Sequence, residues 1–164
     1  MYIPFESLPL HARVWIYQSD KLLTKDQQLI ISEALRSFTD QWAVHGSPME
    51  TSFQIIDDHF VVLGANDQAS GCSIDSSVRM IRDLGEKTGI DFFNRNLIGF
   101  QIDGNVRLVN LKELKSSLAQ GNWSPKSLHY NNLVQTVSDL KTGWKVAAKD
   151  TWLNRYFDQQ TVSG

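Results

Sequence analysis

The sequence predicts an α+β fold with a ferredoxin-like, split βαβ centre, and three observations predict it. A β-branched and aromatic run, Arg13 to Gln18, is followed by a long helical pattern. Two pairs of short apolar runs are each joined by turn-forming residues, Asp57-Asp58-His59 and Asp103-Gly104. A second helical stripe, Ile74, Val78, Ile81 and Leu84, lies between those pairs. The order is strand, helix, strand, strand, helix, strand, and then an extra hairpin strand and C-terminal helices. Its first six elements are those of the split βαβ arrangement, with helices on one face of an antiparallel sheet.

Each element has a local reason. Arg13-Val14-Trp15-Ile16-Tyr17-Gln18 ends at Ser19-Asp20 and reads as a strand. Thr24 with Gln27 matches a capping box, and Ile30, Ala34, Leu35, Phe38 and Trp42 make one apolar face of a helix that Gly46 stops. Ser52 to Ile56 and Phe60 to Leu63 form a hairpin. Ser73 is the expected N-cap of the second helix and Gly89 its stop. Leu97 to Ile102 and Asn105 to Val109 flank Asp103-Gly104, where a type I′ turn wants positive φ at both central residues. Asn110 with Glu113 then opens a helix carrying Leu111, Leu114 and Leu118 to Gly121. Residues 122–136 read as loop with a short helical turn, and Asp150 to Phe157 as a last amphipathic helix.

At 164 residues, 41% hydrophobic and 21% charged, the chain is expected to form a single domain: a lead-in over 1–12, a core over 13–121 and a C-terminal extension over 122–164 that packs on the core. The net charge of −2 argues against nucleic acid as a partner. One cysteine excludes an internal disulfide, and Pro4 and Pro9 interrupt an opening stretch that has no signal-peptide character. No apolar run is of membrane-spanning length. The expected location is cytoplasmic, with no membrane partner.

The stretch to inspect first is Gly64 to Leu84, which holds that cysteine where a polar loop becomes a helix. A helix start leaves N–H groups unpaired and carries about half a positive charge. Ser70, Gly71, Ser73 and Asp75 are therefore candidate ligand-binding residues for a small anion or a peptide end. The same field lowers a thiol pKa, so Cys72 as nucleophile with His45 as base is the catalytic alternative. Ordinary packing of a cysteine, capping of a helix C-terminus by His45 and complementing of a helix dipole by Asp75 account for the same residues without function. In the expected topology the His45-Gly46 loop, the Ser70–Ser73 loop, the Asp103-Gly104 turn and His11 share one sheet edge.

Trp15 and Tyr17 alternate with Val14 and Ile16, so both sheet faces need cover. Either the C-terminal aromatics Trp144, Trp152, Tyr156 and Phe157 fold back, or a second copy docks as a homodimer. His11, His45, His59 and His129 lack paired ligand spacing, so no metal and no cofactor is expected. Neither a P-loop nor a G-x-G-x-x-G motif is present, which argues against a P-loop ATPase.

The stretches Arg13 to Ser19 (RVWIYQS), Gln41 to Gly46 (QWAVHG), Ala69 to Val78 (ASGCSIDSSV) and Asn131 to Thr136 (NNLVQT) resemble a family of short bacterial proteins without a known mechanism, over residues 13–155. Members are sometimes labelled ABC transporter ATPases. Ser70-Gly71 is similar to the transporter signature loop, but without a P-loop lysine the resemblance implies no nucleotide hydrolysis. It carries over no catalytic residue. It adds only that the Cys72 and His45 segments belong to the recognisable stretches.

Overall fold

The computed structural model describes residues 1–44, 47–66 and 71–157, with the backbone alone at 44, 47 and 71–73. The fold is α+β. By its contacts the chain divides into two compact units, residues 1–93 with 132–141, and residues 94–131 with 142–164. That division runs through the stretch that the sequence presents as one core.

The first unit holds β1 (Arg13–Gln18), α1 (Lys25–Gln41), the two-residue pair β2 (Ala43–Val44) and β3 (Ser47–Pro48), then β4 (Thr51–Ile56), β5 (Phe60–Ala65) and α2 (Gly71–Thr88). Its sheet has the order β1-β5-β4, antiparallel throughout, with Trp15 opposite Leu63 and Leu63 opposite Phe53. The β4–β5 turn places Asp57 and Asp58 at φ 54° and 55°, conformations that aspartate tolerates better than most side chains. Five expected elements, strand, helix, strand, strand and helix, are thus in place.

The sixth is not. Leu97–Ile102, expected beside β1, pairs in a separate sheet. The vacant edge of β1 is taken by returning backbone: the Val14 N–H donates to the Gln135 carbonyl at 3.0 Å, and Arg13 bridges Thr136. An edge strand needs partners for its N–H and C=O groups, and this segment supplies some of them at the start of β1.

Alternation along β1 sorts its side chains. Trp15 and Tyr17 face α1 and α2 and pack with Ile31, Leu35, Trp42, Leu63, Ile81 and Leu84; the Trp15 and Trp42 rings are 5.5 Å apart. The buried stripe of α1 is Ile31, Leu35 and Thr39, one residue on from the predicted start at Ile30, which is 36% exposed. Val14 and Ile16 lie on the opposite face, covered by Leu8 and Ala12 of the lead-in and by Val137 of the returning segment. The expected cover was the C-terminal aromatics or a second copy. The observed cover comes from the first unit itself; of the aromatics on the other face, Tyr17 lies in the core and Trp15 packs against it.

The second unit contains β6 (Leu97–Ile102), β7 (Asn105–Asn110), α3 (Leu114–Ala119), β8 (Leu128–Tyr130) and β9 (Lys145–Ala147); α4 (Val137–Gly143) starts in the returning segment. The sheet order is β7-β6-β8-β9. Asp103 and Gly104 take φ 54° and 78° in the β6–β7 turn, as predicted. Phe100, Trp123, Leu114 and Leu153 form the core, with Tyr156 and Phe157 packed against it. The predicted last helix is present only in part: the chain makes 3-10 turns at Ala148–Asp150 and Trp152–Asn154, and residues 155–157 are α-helical.

Candidate functional site

The described cavity with the most chemistry around it lies at the C-terminal end of α2. Gly89, at φ 74°, stops the helix, and the Ile90 N–H turns back to the Gly85 carbonyl at 3.0 Å. This is the 6→1 bond of a Schellman motif, and Ile90 and Leu84 complete it by joining the same apolar core. Ile90 and Phe92 are 4% and 5% exposed, so the following loop is anchored to the core.

The anchored loop and the end of β1 close a shallow pocket of about 350 Å³, lined by Asp20, Arg82, Glu86, Asp91 and Phe93 among others. Asp20 Oδ1 accepts from the Asp91 N–H at 2.9 Å, and Asp91 Oδ1 accepts from the Phe93 N–H at 2.8 Å. Those bonds hold two carboxylates in fixed places. The Arg82 guanidinium lies 4.6 Å over the Phe93 ring, whose other neighbour is Tyr17, edge-on at 5.8 Å. Three carboxylates face one guanidinium, and the carbonyl end of α2 adds partial negative charge. The electrostatics favour a cation.

Burial pushes the Tyr17 hydroxyl above its usual range, against an opposing hydrogen bond with Ser77. Ser77 in turn donates to the Ile74 carbonyl at 2.6 Å. This relay is buried beneath the helix and ties β1 to α2.

The predicted site residues fall differently. His45 and Ser70 lie outside the described residues, so the pairing of Cys72 with His45 lies outside them too. Gly71 is the first residue of α2, which places Cys72 and Ser73 within its first turn; Ser73 is therefore not the N-cap. Asp75 lies beyond the first turn and is exposed, so it does not complement the helix start. At the level of backbone, the start of β1, the end of β5 and the start of β4 do share an edge, since Arg13 and Thr51 both pair with Ala65. His11 is exposed just before β1 at that edge. The Asp103-Gly104 turn joins β6 and β7 in the sheet of the second unit.

In the second unit His129 is 8% exposed and its Nδ1 lies 2.8 Å from the Gly99 carbonyl. A carbonyl only accepts, so Nδ1 carries the proton. Burial lowers the imidazole pKa, and the Gly99 bond opposes that shift. The ring contacts Phe100 and Trp152. Among the described residues no three His, Cys, Asp or Glu side chains group to hold a metal ion, and no helix is long and apolar enough to cross a membrane.

Sequence reasoning missed the α2 pocket because Asp20 lies far along the chain from Glu86 and Asp91. The available signal was Gly85 and Gly89 followed by Ile90, the spacing of a helix end that folds back on itself. Comparison of the chain with protein-family models, with curated proteins and with solved structures found no match.

Proposed function

We propose that this protein is a binding protein whose first unit takes the cationic group of a ligand, an amine or a guanidinium, in the pocket at the end of α2. The observation that carries the proposal is the fixed placement of Asp20 and Asp91 by backbone N–H donors beside Glu86 and a helix C-terminus. Carboxylates whose geometry is set before binding lose little entropy when a cation arrives. Arg82, held on Phe93, offers a place for a carboxylate of the same ligand, so a basic amino acid or a basic peptide end fits the charge pattern.

This reading keeps binding, rather than catalysis, as the activity, but moves it to the opposite end of α2 and reverses the sign of the ligand from the anion expected at Gly71. Membership of the family of short bacterial proteins is part of the same proposal, and so is a cytoplasmic location. Calorimetric titration with arginine amide is the test. Glu86 is exposed and Glu86→Gln removes one charge with little change in shape. It should weaken binding about three- to ten-fold, the worth of one partly screened charge pair. Equal affinity for wild type and for Glu86→Gln combined with Asp20→Asn would reject the site.

A further inference from the structure

The near-neutral total charge conceals two opposed halves. Eight of the sixteen lysines and arginines lie in the second unit with only four of the eighteen carboxylates, giving it a net charge of +4 and the first unit −6. The whole-chain charge of −2, which argues against nucleic acid as a partner, is the sum of these.

Two of these basic residues, Lys149 and Arg155, stand three positions either side of Trp152 in the chain. Lys149 follows β9, and its N–H donates to the Pro125 carbonyl at 2.9 Å, which brings the backbone of Lys126 alongside. Both lysines are exposed, as is Arg155, and Asp150 is the acidic residue among them. Beside them Trp152 is 43% exposed. Its ring is held by T-shaped contacts to His129 at 6.2 Å and Tyr156 at 6.4 Å, and the Arg155 guanidinium lies 5.0 Å from its centre. A tryptophan placed for core packing would be covered. This one is held by neighbouring rings and left open beside Arg155.

We propose that this edge of the second unit binds single-stranded nucleic acid, with Trp152 stacking on a base and Lys126, Lys149 and Arg155 meeting phosphates. Stacking on an aromatic ring combined with a basic track is how single strands are held without sequence readout. A lysine on β9, Lys145, would discourage edge-to-edge sheet pairing, but that role asks nothing of an exposed tryptophan.

Fluorescence anisotropy of a labelled oligothymidylate of about 15 nucleotides, titrated with the full chain, tests the proposal. Log affinity should fall with log salt at a slope of about −2, as three phosphate contacts require, and Lys149→Gln should reduce the slope by about 0.7. Trp152→Ala should weaken binding about ten-fold or more, with Trp152→Phe restoring most of it. Urea unfolding of both variants checks that the fold is intact. Absence of binding at the lowest salt would overturn the proposal. Binding that ignores Trp152→Ala and yields equally to dextran sulfate would overturn it as well, leaving only nonspecific attraction of a polyanion. Neither result bears on the cation pocket of the first unit, which Glu86→Gln tests separately.

Discussion

Gly85 and Ile90 are in backbone contact across the end of α2: the Ile90 N–H reaches the Gly85 carbonyl, and a Cβ on Gly85 would stand 2.6 Å from the Ile90 carbonyl oxygen. In most helix interiors alanine is worth about 1 kcal/mol more than glycine. Here the obstacle is backbone, which cannot rotate aside, and overpacking costs about 1–3 kcal/mol. Gly85→Ala is therefore predicted to destabilise the protein by about 1–2 kcal/mol and to weaken cation binding, as the loop carrying Asp91 is pushed off the helix. Urea unfolding and calorimetry on the same variant check both halves. A gain in stability would mean that the close approach is not as described.

Gln27 works at both of its ends. Its Oε1 accepts from the Thr24 N–H at 2.9 Å, completing the capping box, while its Nε2 donates to the Thr88 carbonyl at the end of α2 at 3.0 Å. Glutamate serves a capping box equally well. It cannot donate to Thr88, and it would set a negative charge beside a helix C-terminus. Gln27→Glu should accordingly cost about 1–2 kcal/mol in thermal or chemical unfolding, although it preserves the cap. An unchanged midpoint would show that the Thr88 bond contributes nothing.

His129 should make the second unit sensitive to mild acid. In the unfolded chain its imidazole titrates at the ordinary 6.5, and in the folded chain burial holds it lower. Between those values the unfolded state binds more protons, so stability is full above pH 6.5 and falls as the pH drops toward the folded value. The slope is at most about 1.4 kcal/mol per pH unit. Unfolding measured at neutral pH and about one unit below 6.5 should show this loss in wild type and a smaller one in His129→Gln. Parallel pH profiles for the two proteins would contradict it.

Local chemistry was legible in the residues, and long-range pairing was not. The capping box at Thr24, the two hairpin turns and the stop at Gly89 each rest on a few adjacent positions, and each is where the sequence places it. The partner of β1 depends on competition between distant segments, and Gln135–Thr136 wins that edge without any strand pattern of its own. β8 escaped notice because Leu128–Tyr130 is three residues long and sits in a polar stretch. On α1 only Ile30 was misread, because Ile30 and Ile31 are adjacent and both apolar and packing on the sheet selects Ile31, whereas Ala34, Leu35, Phe38 and Trp42 join the core as expected. Whole-chain charge hides the division of the chain for the same kind of reason, since it sums over two units that composition alone does not separate.

The most direct measurement is an amide chemical-shift titration of isotopically labelled protein with arginine amide. Saturable shifts are predicted at Asp20, Arg82, Glu86 and Gly89 to Phe93, and these should weaken in Glu86→Gln. Shifts gathered instead around Gly71 to Asp75, or a response that never saturates, would contradict a cation site at the carbonyl end of α2.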